Sequence, residues 1–316
     1  MKKLLSLIAS IVLVSSLALV GCSQKQAAVS QESSKPAEGA AKYVNNDLFV
    51  SADWVKDNID KGIVILDARD PKAYIINHIP NSINVKWQPF TDMENKKPGD
   101  KGFGNLLEPS KLADVIGKLG IDGTKTVVVY GAPPTGWAED GRIAWTLKSA
   151  GIKNVKMLNG GWNAWKSKKY PSDRKVPTPK AVAFKISAMD ESINVTTDYI
   201  NKNIDKIKII DAREVDEYNG AVKYGEARGG HLPKAINITW TQFYNSDGTL
   251  KSQKDIETLL SSKGINKDDE IVSYCTKGIR SADVTLILKI AGYEKAKNYD
   301  GSYYEWAGNK DLSVEK

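Results

Sequence analysis

The sequence predicts an α/β protein in which one unit, a mainly parallel sheet with helices on both faces, is written twice in tandem. Three observations carry that prediction. Short, continuously apolar runs alternate with segments whose apolar residues recur at three- and four-residue spacing, as buried parallel strands joined by helices do. The same landmarks return in the same order in the second half. The length of 316 residues suffices for two domains, each with its own core.

The N-terminus comes first. Met1-Lys2-Lys3 is cationic, Leu4 to Val20 is apolar, and Gly21-Cys22 follows, which is the three-part layout of a bacterial export signal. Leu19-Val20-Gly21-Cys22 resembles the lipobox of bacterial lipoproteins, whose Cys is acylated and becomes the first mature residue. Residues 1–21 are therefore expected to be a signal peptide and Cys22 a lipid anchor holding the chain at the extracytoplasmic face of the cell membrane. The rival reading is an uncleaved signal anchor with an incidental Cys22. Ser-, Gln-, Ala- and Lys-rich residues 22–46 are expected to form a flexible tether.

Residues 47–172 should form the first domain. Gly62 to Leu66 and Lys125 to Tyr130 read as its buried strands, and Ile143 to Leu147 lies in a helix. A connector rich in Pro, Lys and Ser places a linker at 173–184. Residues 185–316 should form the second domain, with strands at Lys206 to Ile210 and Glu270 to Tyr274 and a helix over Val284 to Ile290.

The correspondence between the halves is residue by residue. Asp67-Ala68-Arg69 returns as Asp211-Ala212-Arg213 and Tyr130 as Tyr274, both 144 positions later. His78-Ile79-Pro80-Asn81-Ser82-Ile83-Asn84 returns as His231-Leu232-Pro233-Lys234-Ala235-Ile236-Asn237, and Trp87 as Trp240. Ala150-Gly151 and Trp165 return as Ala291-Gly292 and Trp306, 141 positions later. A feature present in both halves points to the fold, so His78, His231, Asp67, Asp211, Arg69 and Arg213 are read as structural. Arg213 is expected to pair with Glu217 if a helical turn sets them at i and i+4.

Chemistry should instead sit where the halves differ. Cys275 directly follows a buried strand and heads the segment Cys275-Thr276-Lys277-Gly278-Ile279-Arg280-Ser281-Ala282, which leads into a helix. Ligand sites of such sheets lie beyond the carboxyl ends of the strands. A helix N-terminus and the cations Lys277 and Arg280 favour a thiolate there, and Gly278 lets successive amides face inward. Against this stands the plain alternative of a small apolar Cys ending a strand. In the first half Gly131 takes the cysteine's place, so that half has no nucleophile and should be catalytically silent.

The tandem halves, the Asp-Ala-Arg strand ends, the His-hydrophobe-Pro-x-hydrophobe-x-Asn signature and the Cys-x-x-Gly-x-Arg-Ser loop together resemble the two-domain rhodanese sulfurtransferases over about residues 47 to 310. The resemblance implies that Cys275 accepts a sulfane sulfur, becomes a persulfide and passes the sulfur to a thiol or cyanide acceptor. It places Thr276, Lys277, Gly278, Ile279 and Arg280 around the transferred sulfur and an anionic donor. Lys277 favours thiosulfate over 3-mercaptopyruvate, because a dianion gains more from an added cation. Arg228, found only in the second half's insertion, is a further candidate for reaching the donor, with a solvated surface position as its rival. Arg280 lies five residues after Cys275, one fewer than in the Cys-x5-Arg loops of cysteine phosphatases, which argues for a cradle sized to one sulfur. The alternative function is a non-catalytic sulfur-carrying or binding lipoprotein.

Composition excludes several classes. Two cysteines and two histidines cannot build a disulfide framework or a Cys/His zinc site, and no metal or organic cofactor is implied. The net charge of +7 is scattered among acids and forms no basic stripe, so nucleic acid is not an expected partner.

Overall fold

The computed structural model describes residues 43 to 316 apart from Asn95. The first repeat runs through β1 (Phe49–Val50), α1 (Ala52–Asn58), β2 (Val64–Asp67), α2 (Pro71–Ile76), β3 (Ile83–Asn84), α3 (Pro109–Lys118), β4 (Val127–Tyr130), α4 (Glu139–Ser149), β5 (Val155–Leu158) and α5 (Gly161–Ser167). The second runs through β6 (Asn194–Val195), α6 (Thr197–Asn203), β7 (Lys208–Asp211), α7 (Val215–Tyr218), β8 (Ile236–Asn237), α8 (Gln253–Ser262), β9 (Ile271–Tyr274), α9 (Ile279–Ile290), β10 (Ala296–Tyr299) and α10 (Ser302–Gly308). Every pairing within the two sheets is parallel. Their orders, β1-β5-β4-β2-β3 and β6-β10-β9-β7-β8, are the same topology written twice.

Strand side chains alternate between opposite faces, and here both faces are buried. Val127 and Val129 of β4 enter a core shared by the two repeats, while Val128 and Tyr130 enter a separate cluster with Trp162 and Trp165. In β9, Ile271 joins the shared core and Val272 and Tyr274 the second repeat's own outer cluster. This is why β4 reads as an unbroken apolar run and β9 as one interrupted only by Ser273. The two-residue strands β1, β3, β6 and β8 are too short to leave a pattern, and only the folded chain shows them.

The duplicated residues do the same work in each half. Arg69 donates through Nε and Nη2 to the Asp67 carboxylate, at 2.6 Å for the shortest contact, and Arg213 does so to Asp211 at 2.6 Å. Tyr130 and Tyr274 each donate a hydroxyl to the same carboxylate. Asn84 bridges the carbonyls of Asp67 and Arg69, as Asn237 bridges those of Asp211 and Arg213. His78 and His231 stack on Tyr74 and Tyr218 and pair through Nδ1 with the carbonyls of those tyrosines. All of these groups tie the ends of strands to neighbouring loops, and neither histidine lines the cleft described below.

The expected Arg213–Glu217 pair does not form. Arg213 spends Nε and Nη2 on Asp211 and the Gly230 carbonyl and leaves Nη1 without a partner among the described residues, while Glu217 turns to a different arginine. The expected 22–46 tether also ends sooner than its last residues. Tyr43 is buried and bonds to the Lys251 carbonyl, and the Asn45 N–H donates to the Ile290 carbonyl, so this stretch straps onto the second repeat. Cys22 and the signal segment lie outside the described residues, among which no helix is long and apolar enough to cross a membrane.

The repeats meet along α4 and α9, which pack side by side. Gly141 makes this possible: a Cβ there would stand 2.3 Å from Cβ of Asp283.

Candidate active site

Cys275 follows β9 immediately, so its position is set by a strand buried on both faces. The first turn of α10 holds it from the side. Tyr303 and Tyr304 donate backbone N–H groups to the carbonyls of Cys275 and Thr276, and the Cys275 N–H donates to Ser302 Oγ. Gly278, with φ +72°, turns the chain into α9.

The thiol is buried, which alone would raise its pKa; the Arg280 guanidinium and the N–H groups of Ser281 and Lys277, with the Ser281 hydroxyl, outweigh that and hold it below the ordinary thiol value. Ser281 Oγ has no other hydrogen-bond partner among the described residues. Arg280 is itself fixed. Its two terminal nitrogens reach Glu217 at 2.7 and 2.8 Å, and Nη2 also reaches Thr276 Oγ1 at 2.8 Å. Burial raises the Glu217 carboxyl, but the bonds from Arg280 and Thr276 bring it below the ordinary carboxylate range. Arg280 is thus a spoken-for cation that acts on the thiolate as a fixed field and has little left to chelate a phosphate.

Lys277 stands differently. Its ammonium lies 5.1 Å from the ring centre of Trp87, 4.7 Å from Phe103 and 5.2 Å from Tyr304. Burial and the neighbouring Arg142 lower its pKa. Two of those three rings come from the first repeat.

The cleft above Cys275 has a volume of about 700 Å³ and is walled by both repeats. Cys275, Thr276, Lys277, Ile279 and Arg280 form its floor; Lys86, Trp87, Gly131 and Trp137 come from the first repeat, and Tyr224 and Tyr304 from the second. Trp137 and Tyr224 meet edge to face across the mouth at 5.3 Å. Gly278 does not line the cleft; it faces Asp300 and Arg142.

Arg228 does not line the cleft. Its guanidinium donates to the carbonyls of Trp306, Ala307, Asn309 and Leu312, closing the C-terminal end of α10, where unpaired carbonyls gather. The sequence showed a solitary arginine in an insertion and gave no sign of the helix end it would meet. Glu217 was visible but assigned to the wrong arginine. Arg142 and Asp300, joined at 2.5 Å beside the loop, carried no local signal at all.

The matching loop of the first repeat is filled. A Cβ on Gly131 would lie 2.7 Å from Cγ of Asp140. Asp140 corresponds to Ser281, so the first repeat places a carboxyl where the second holds its sulfur. Burial pushes that carboxyl up to about 6, with Glu139 adding to the rise. Asp283 beside it is also raised by burial and by Asp140, and accepts a bond from Tyr244. Among the described residues no cluster of ligating side chains could hold a metal ion.

The family model described as "Rhodanese-like domain" matches residues 51–168 and 196–309. The chain is 32% identical to "Sulfur carrier protein TtuD" of Thermus thermophilus, over 87% of this chain and 98% of that protein. It is 31% identical to "Putative thiosulfate sulfurtransferase" of Haloferax volcanii, over 85% and 96%. Among solved structures, wild-type EanB superimposes with a TM-score of 0.76 at 21% identity, covering 86% of this chain and 70% of that one, a likeness of fold.

Proposed function

The chain belongs to the rhodanese family, with two rhodanese-like domains in tandem, and from that premise we propose that it moves a sulfane sulfur through a persulfide on Cys275. The observation that carries this reading is a buried thiol whose pKa is lowered by a fixed guanidinium and loop N–H groups at the floor of a cleft. The Cys275 thiolate attacks the outer sulfur of thiosulfate. A new S–S bond forms, the old one breaks, and sulfite departs with the bonding pair. A thiol or cyanide then attacks the outer sulfur, and the thiolate returns as leaving group.

Thiosulfate is the favoured donor class. Lys277 is held by rings and makes no ion pair with a carboxylate among the described residues, so it can offer charge to a dianion. The cleft is many times larger than such a donor, which leaves room for the acceptor to reach the persulfide. The silent role of the first repeat is supported by Gly131 and by Asp140 filling its loop. Export and anchoring through Cys22 belong to the same reading and are supported by the sequence of residues 1–22.

The test is sulfite release from thiosulfate with cyanide as acceptor, in wild type and Cys275→Ser. Release should be lost in the variant, and equal turnover in both overturns the reading. A second reading, a carrier that is loaded but does not turn over, is favoured by the relative named a sulfur carrier protein. One added sulfur on Cys275 by mass spectrometry without multiple turnovers would decide for it.

A further inference from the structure

We propose that Arg142, supplied by the repeat that lacks the thiol, is a positioning residue that sets the backbone of the Cys275 loop. The inference rests on the proposed role of Cys275 as nucleophile.

Arg142 sits on α4 and is fully buried. Its Nη1 donates both to Asp300 Oδ1, at 2.5 Å, and to the carbonyl of Gly278, at 3.2 Å; Nη2 lies 3.4 Å from the carbonyl of Gly104. A buried guanidinium costs much desolvation, and here Nε is left without a partner, so the cation is held for the contacts made by its terminal nitrogens. One of those contacts is with the active loop itself. Gly278 is the residue whose positive φ redirects the chain between the Lys277 and Ser281 N–H groups that face the sulfur. A Cβ at Gly278 would stand 2.7 Å from the Asp300 carbonyl oxygen and 3.2 Å from Arg142 Nη1, so the two form a wall against which the loop is moulded.

The wall is braced from the same side. The Leu106 N–H donates to the other Asp300 oxygen at 2.9 Å. A Cβ on Gly104 would be 3.0 Å from the Lys277 stem, so this segment of the first repeat also limits where Lys277 can go. In the second repeat the position matching Arg142 is Asp283, which accepts a bond from Tyr244 and has no guanidinium to offer the Gly131 loop. The guanidinium comes from the repeat without a thiol, whereas the loop after Gly131 is met from the other repeat by Gly248, where a Cβ would stand 2.0 Å from the Pro133 carbonyl oxygen.

A mere clamp between repeats would affect stability alone. A positioning residue also moves the titration of Cys275, because its N–H donors lose alignment. The groups that face the thiolate are Arg280, Lys277 and Tyr304, with Glu217 behind Arg280 and Asp300 and Arg142 behind Gly278. Arg142→Lys keeps the charge and removes the fork, so it separates positioning from a distant field.

The experiment uses the full chain and follows iodoacetamide alkylation of the Cys275 peptide against pH, alongside persulfide formation from thiosulfate and thermal unfolding. Arg142→Lys should raise the alkylation midpoint by about half a pH unit and slow persulfide formation about tenfold, and Arg142→Gln should exceed it in both. An unshifted midpoint in Arg142→Lys, with or without a lower Tm, overturns the proposal. Alkylation reads the thiolate whatever the sulfur donor. A wild type that never gains sulfur, with a shifted Arg142→Lys, therefore overturns the sulfurtransferase reading and leaves this one standing. Wild-type persulfide with an unshifted variant does the reverse.

Discussion

Three residues decide how Cys275 behaves, and each makes a different demand. Arg280 supplies the charge, Glu217 holds Arg280, and Gly278 shapes the loop. With its pKa lowered, the thiol is ionised at lower pH than a free cysteine. Its alkylation rate should fall as pH drops through a midpoint below the ordinary value of about 8.5; a midpoint at or above that value would contradict the electrostatics described. Glu217→Gln leaves a buried guanidinium without its carboxylate and should cost about 3 kcal/mol in urea unfolding. Cys275 was legible in the sequence because the two halves differ there. Glu217 was not, because its partner lies 63 positions away and a plausible neighbour, Arg213, lay closer in sequence. Arg228 stayed open between the donor and a solvated surface for the same reason: sequence spacing cannot show which helix end an arginine will meet.

Among the elements, the central strands were readable and the edges were not. β4 and β9 are buried on both faces and so spell themselves out in Val, Ile and Tyr, whereas a two-residue edge strand has no period to detect. The helices α4 and α9 were recognised only in part, since nearly every side is buried and polar residues lie within the contact. Asp140 and Asp283 are the telling pair. Burial raises both, so the folded chain holds a proton that the unfolded chain releases. Asp140 therefore adds stability that is fully present below about pH 4 and is lost as pH rises through about 6. Asp140→Asn should flatten that part of the stability–pH curve in chemical unfolding, and an unchanged slope would count against a protonated pair.

On the scale of the whole molecule, duplication was plain from the landmarks, but its consequence was not. Two domains in sequence suggest two independent cores; the structure instead runs one core through both repeats, from Leu66 and Val129 to Ile271 and Leu288. The second repeat alone, residues 185–316, would expose the α9 face and lose Arg142, Trp87 and Phe103. Expressed alone it should be insoluble or molten by near-UV circular dichroism, and a well-folded, fully active fragment would disprove the shared core. The filled Gly131 loop also limits what can be built into the first repeat. A thiol placed at position 131 meets the Asp140 carboxyl, and removing that carboxyl disturbs its neighbour Asp283 in the other repeat. Placing a thiol there thus calls for coordinated changes in both repeats, because the position, its carboxyl neighbour and that neighbour's partner are packed as one group. The asymmetry of the two loops is guarded by packing: a single substitution at Gly131 meets a wall that only a second change, felt across the repeat boundary, would open.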